Sequence, residues 1–128
     1  MSNYNITGLS LESVNYKFTR PDPKAVGVSM RDKVSIIEIN ENRAVLNVGR
    51  ELSLGQQTET SISVEYSVVV ESNDNITKQN LSDAIRKREI SLTVVYSKIS
   101  LLIGNITAMS PFGGVVTPPA YIAENKNS

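Results

Sequence analysis

The sequence predicts an α+β fold, a four-stranded antiparallel sheet with a short and a long helix packed on one face. Three observations carry this. Ile62, Val64, Tyr66, Val68 and Val70 alternate with the mostly polar Ser61, Ser63, Glu65, Ser67, Val69 and Glu71, which marks a half-buried antiparallel strand. Three earlier runs alternate in the same way and are divided by turn chemistry. From Thr77 the period changes: Leu92, Val95, Ile99, Leu102, Ile106 and Met109 recur at helical spacing, on a stripe widened by Tyr96 and Ile103.

The elements follow in order. Leu9–Thr19 alternates in two phases, Leu9 and Leu11 against Val14, Tyr16 and Phe18, which a bulge near Ser13 reconciles. Pro21-Asp22-Pro23 forbids continued pairing and forces a loop. Val28–Ile39 is the second strand, its even positions Val28, Met30, Val34 and Ile36 giving way to Ile37 and Ile39. A turn at Asn40-Glu41-Asn42 leads to the third, where Ala44, Leu46, Val48, Leu52 and Leu54 share one parity and Gly49 marks a kink. Gly55-Gln56-Gln57 is the next turn, before the strand already described. Short turns suggest a meander-like sheet.

Leu81, Ala84 and Ile85 suit a short helix, with Arg86-Lys87-Arg88 at its C-terminus, where cations are favoured. A long helix over about 90–109 follows, roughly 30 Å at 1.5 Å per residue. Pro111 and Gly113-Gly114 end it. Val115–Pro119 is extended or turned, and 120–128 forms a short element and a frayed tail. The division is one domain: a sheet over about 8–71, helices over 76–110, a loop and tail over 111–128.

The chain's 128 residues suit one core and not two. Lys plus Arg and Asp plus Glu are both 13, so no basic surplus favours nucleic acid or an anionic membrane. Cysteine and histidine are absent, which removes disulfides, the common zinc ligands and the usual general base near neutral pH. No basic segment followed by an apolar run opens the chain, and 92–109 is too polar for a membrane span. The expected location is the cytoplasm, with no membrane insertion.

The second side of the long helix is informative. A surface helix carries charges opposite its apolar stripe. Here stand Thr93, Val94, Ser97, Ser100, Leu101, Gly104, Asn105 and Ala108, with Lys98 the sole charge. Gly104 costs about 1 kcal/mol of helix propensity relative to alanine, so a close approach is expected there. Thr93, Ser97, Ser100, Leu101, Gly104 and Ala108 are therefore expected to form an oligomer interface.

Other motifs carry no chemistry. Asn5-Ile6-Thr7, Asn75-Ile76-Thr77 and Asn105-Ile106-Thr107 match the glycosylation acceptor but lack a secretory context. Asp22, Asp32, Asp74 and Asp83 have no metal-ligand spacing, and Gly113-Gly114 follows a helix instead of opening one. The carboxylates lie scattered over polar strand faces, so no general acid–base pair emerges. Neither catalysis nor a cofactor or metal is expected.

The segment Ser97-Lys98-Ile99-Ser100-Leu101-Leu102-Ile103, leading to Pro111-Phe112-Gly113-Gly114-Val115-Val116-Thr117-Pro118-Pro119, resembles the end of SecB-type export chaperones. Phe18-x-x-Pro21, a proline-bearing crossover, two strands, a tight turn at Gly55-Gln56-Gln57-Thr58 and a long alternating strand match the family's order. The resemblance covers nearly the whole chain in order and spacing, with no single diagnostic motif.

The resemblance implies a SecB-like fold, assembly as a homotetramer built from two dimers with long helices between sheets, and retention of non-native polypeptides in apolar grooves. It places the crossover loop on 21–26 and the helix-connecting loop on 109–119. Client contacts would then come from Tyr16, Phe18, Val26, Phe112, Val115 and Val116. Glu65 matches a carboxylate used to contact the SecA motor, while Asn15 and Thr19 stand at acidic positions of the family and Ser63 replaces an apolar one. The expected function is a holdase for unfolded or precursor polypeptides, with a role in export. The alternative is a module with one dedicated partner on the same fold, such as a toxin–antitoxin or prophage accessory.

Overall fold

The computed structural model describes residues 4–17, 28–54, 61–108 and 115–122. Six elements follow along the chain: β1 Tyr4–Lys17, β2 Val28–Asn40, β3 Arg43–Leu54, β4 Ser61–Ser72, α1 Lys78–Arg86 and α2 Thr93–Thr107. The strands form one antiparallel sheet in the order β1-β4-β3-β2. β2, β3 and β4 are a meander. β1 departs from it, pairing with β4 and leaving β2 at the opposite edge. The meander expectation followed the rule that sequential strands neighbour each other. It fails where the connection is long, between Lys17 and Val28.

Bulges keep apolar side chains on one face. In β1 the register shifts between Ile6 and Gly8 and again between Leu11 and Ser13, the second at the expected place. As a result Ile6, Leu9, Leu11, Val14 and Tyr16 stand opposite Val70, Val68, Tyr66, Val64 and Ile62 of β4. In β2 the shift falls between Ile36 and Glu38. Ile37, expected in the core, is the extra residue of that bulge and is 63% exposed, while Ile39 resumes the core face. β3 pairs without a register shift at Gly49, so no bulge occurs there. A Cβ at Gly49 would meet the Val64 carbonyl at 3.0 Å; close packing explains this glycine.

The β2–β3 turn is Glu41-Asn42, with Glu41 at φ 56°, a conformation that favours glycine. The exit of β4 holds it. The Ser72 and Ile76 amides donate to the Asn42 and Glu41 carbonyls at 2.8 and 2.7 Å. The expected turns at 21–23 and 55–57, and the helix stop at 111–114, lie outside the described residues.

Thr77 caps α1, its Oγ1 accepting from the Asn80 amide at 3.1 Å. At the other end Glu89 N donates to the Ala84 carbonyl and Arg88 N to that of Ile85, a Schellman closure with Arg88 at φ 61°. This closure consumes residues 88–90, which is why α2 starts at Thr93 and not near Ile90. α2 lies over β3 and β4. Its buried stripe is Val95, Tyr96, Ile99, Ile103 and Thr107. The predicted stripe shares Val95, Tyr96, Ile99 and Ile103 with it, and Leu92 just before the helix is buried too, but Leu102 and Ile106 are only half-buried. Each large apolar side chain buried here contributes about 1.5–3 kcal/mol. The core joins α2 to Ala44, Leu46 and Val48 of β3 and Val64, Val68 and Val70 of β4, with Leu81 and Ala84 from α1.

Candidate functional site

Two charged residues share the parity of the core. Arg50 stands between Val48 and Leu52, and Asp32 between Met30 and Val34; the register pairs them across β2 and β3. Both face the helices with no side-chain exposure. Arg50 Nε donates to Asp32 Oδ1 at 2.6 Å and Nη2 to Oδ2 at 2.8 Å, a two-pronged pair. Nη1 donates to Thr117 Oγ1 at 2.9 Å and to the Pro118 carbonyl at 2.6 Å, and Nη2 also donates to the Ala120 carbonyl at 2.9 Å. A guanidinium has five N–H donors, and each has an acceptor here.

These bonds pin residues 115–122 as a strap over the sheet. Asp32 Oδ2 accepts from the Ile122 amide at 2.9 Å. Ser100 Oγ donates to the Thr117 carbonyl at 2.6 Å, and the Val115 amide donates to Thr107 Oγ1 at 2.7 Å. The Tyr96 ring lies 4.8 Å from the guanidinium carbon and stacks on Tyr121 at 5.8 Å, while its hydroxyl donates to the Gly49 carbonyl at 3.1 Å. Burial, with the Asp32 carboxylate nearby, pushes the Tyr96 hydroxyl far above its ordinary pKa, although Arg50 opposes this. The same two causes raise Tyr121. Among the described residues no buried side-chain nitrogen or oxygen lacks a partner. A satisfied, water-excluded cluster of this kind rigidifies the core and holds the strap to the sheet.

Exposed apolar surface lies at the two edges of the sheet instead. At β1, Leu11, Val14 and Tyr16 are 49%, 38% and 40% exposed on the helix-side face, whereas their neighbours Val64 and Ile62 on β4 are closed off. The helices therefore cover the middle of the sheet and leave an apolar row on its edge strand. At β2, a cleft of about 470 Å³ opens between the strand and α1. Val34, Ile36, Ile85 and Tyr121 supply its apolar lining, and Lys78, Arg86 and Arg88 its charges. Arg86 bonds Asp83 one turn earlier at 2.6 Å.

The residues expected to touch clients separate. Tyr16 belongs to the exposed β1 row. Val116 is 94% exposed on the strap, but Val115 is half-buried against the core. Phe18, Val26 and Phe112 lie outside the described residues. Glu65, the expected motor contact, is half-buried on the opposite, polar face and accepts from Ser13 Oγ at 3.2 Å. On α2, Ser100 and Gly104 turn towards the chain's own strap, a Cβ at Gly104 meeting the Val115 carbonyl at 3.6 Å. Thr93, Ser97, Leu101 and Ala108 are exposed, beside Val94 at 57% and Leu101 at 66%. Among the described residues no cluster of acidic side chains could hold a metal, and no helix is long and apolar enough to cross a membrane.

Neither a family model nor a curated protein matches the sequence. The structure is similar to a SecB-like chaperone of Mycobacterium tuberculosis solved in complex with a ChAD peptide from the HigA1 antitoxin. The TM-score is 0.68 at 14% identity, over 91% of this chain and 90% of that one. It is also similar to a protein of unknown function from Streptococcus agalactiae, with a TM-score of 0.56 at 7% identity, over 92% of this chain and 98% of that one. The four-stranded sheet, its two helices and its likeness across nine-tenths of the chain give this protein a SecB-like fold.

Proposed function

We propose that this protein is a SecB-like holdase that retains non-native polypeptides on exposed apolar surface. The observation that carries this reading is the row Leu11, Val14 and Tyr16, three large apolar side chains left open on an edge strand. Burying such a row recovers about 25 cal/mol per Å² of apolar area and requires no particular client sequence. The free edge of β1 adds backbone donors and acceptors to which an extended chain can pair. The fold supports the reading, since a SecB-like chaperone with the same architecture was solved with a peptide bound.

Assembly belongs to the same proposal. Val94, Ser97, Leu101 and Ala108 make an outer stripe on α2 with Lys98 the sole charge beside it, suited to helix packing between copies. A role in export follows only if captured chains are passed on. The second reading, one dedicated partner, draws on the antitoxin peptide held by the similar chaperone.

The test is aggregation of a guanidinium-unfolded enzyme after dilution, followed by light scattering. The wild-type protein should suppress aggregation, and a Leu11→Ser, Val14→Ser, Tyr16→Ser variant should lose most of that effect while melting normally. Equal suppression by the variant rules out this surface. Pull-down from the host separates the two readings, since a holdase retains many chains and a dedicated module one.

A further inference from the structure

The cleft between β2 and α1 differs chemically from the β1 row. Among its described lining residues three are cations and none is an acid, although the whole chain carries as many acids as bases. The apolar residues Val34, Ile36, Ile85 and Tyr121 lie among these charges. The lining thus combines apolar contact with positive charge, of which only that of Arg86 is paired, and the edge strand β2 lies alongside it.

Arg88 supplies a second, independent observation. It occupies the left-handed position of the Schellman closure that ends α1, at φ 61°. Glycine is the residue favoured there, since a Cβ carries a penalty in that conformation. Arginine gains nothing for the turn, because the two closing hydrogen bonds come from backbone amides. What arginine adds is a charged side chain, at a residue that lines the cleft. Strain held at a position that places a charge in a cavity points to use of that charge. Arg86 is already engaged by Asp83, whereas neither Lys78 nor Arg88 forms an ion pair among the described residues.

We propose that the cleft between β2 and α1 binds an extended polypeptide segment whose apolar side chains are flanked by carboxylates. The apolar side chains pack on Ile36, Ile85 and Tyr121, and the carboxylates meet Lys78 and Arg88. The inference rests on the polypeptide-holding reading and narrows it to a client chemistry, acidic and apolar together.

The experiment uses short fluorescein-labelled peptides with a Leu-Phe-Val-Leu centre, flanked by glutamates, glutamines or lysines, titrated with the full chain by anisotropy. The glutamate-flanked peptide should bind roughly tenfold tighter than the glutamine-flanked one, as two partly exposed ion pairs allow. The lysine-flanked peptide should bind weakest, and added salt should compress the difference. Arg88→Gly removes the charge and relieves the backbone, so its melting temperature should hold or rise while the preference for glutamate falls several-fold. Lys78→Gln should act in the same direction, and both variants should keep their affinity for the glutamine-flanked peptide.

Equal affinity for glutamate and glutamine flanks overturns the inference, as does a preference that survives the double variant. If no peptide binds but aggregation of unfolded clients is still suppressed, the inference fails and the holdase reading stands. If the glutamate preference depends on Arg88 while aggregation is not suppressed, the site stands and the holdase reading fails.

Discussion

Arg50 and Asp32 meet in a two-pronged pair across β2 and β3, at 2.6 and 2.8 Å, with neither side chain open to solvent. A buried pair of this kind gains little over an apolar replacement of both partners, yet losing one partner is severe. Arg50→Met leaves a carboxylate in the core and should destabilise the fold by about 3–5 kcal/mol in urea denaturation. Arg50→Met combined with Asp32→Leu should recover most of that loss. Additive losses in the double variant would show that the two residues act separately.

The strap offers a more local test. Thr117→Val removes the hydroxyl that accepts from Arg50 Nη1 and keeps the side chain's volume. A buried donor left unsatisfied costs about 1–3 kcal/mol. The Pro118 carbonyl keeps the other N–H of the same nitrogen, so one donor of the five is orphaned and the strap stays tethered. Limited proteolysis should then cut residues 115–122 faster than it cuts the sheet. Unchanged cleavage would mean that the strap is held mainly by other contacts.

Stability should also fall on the alkaline side. Burial raises the Tyr96 hydroxyl above its unfolded value of about 10, so the folded state holds that proton more tightly than the unfolded chain does. The contribution is present in full below pH 10 and is lost as pH rises further, at up to about 1.4 kcal/mol per pH unit. Tyr121 and Tyr4 are raised as well and add to the slope. Tyr96→Phe should flatten most of it in denaturation curves between pH 9 and 11. A slope unchanged in that variant would assign the effect to other groups.

Leu101→Glu tests assembly better than a change at Gly104, because Gly104 faces the chain's own strap while Leu101 is two-thirds exposed. In a single copy the substitution should shift stability by no more than about 0.5 kcal/mol. It should lower the mass measured by light scattering if copies pack through α2. The same mass for both proteins would exclude this face as the interface.

Much of this molecule was legible in its sequence. The alternation of β4 was unambiguous, and the phase change at Leu11 and Val14 located a bulge that the register confirms. The Arg50–Asp32 pair was missed, though a trace was present. Arg50 keeps the parity of Ala44, Leu46, Val48 and Leu52, and Asp32 that of Met30 and Val34. One charge in phase with a core strand reads as a fault in the pattern. Two of opposite sign become a pair only when the register sets 32 opposite 50. The strap was illegible for another reason. Residues 115–122 have no period, and the atoms Arg50 uses there are largely backbone carbonyls, which every sequence possesses. On α2, the small residues Ser100 and Gly104 suggest an interface with another copy, whereas the neighbour they face is the chain's own strap.

The strap also has a consequence for synthesis. Three of the bonds to Arg50 are accepted by residues 117–120, which leave the ribosome after both strands and both helices. Until they emerge, a nascent chain that closes its sheet leaves three of the five Arg50 donors without their protein acceptors. The core is therefore completed from the C-terminal side, and full stability arrives only when the strap does. A chain assembled in this order passes through its own synthesis with its core unfinished.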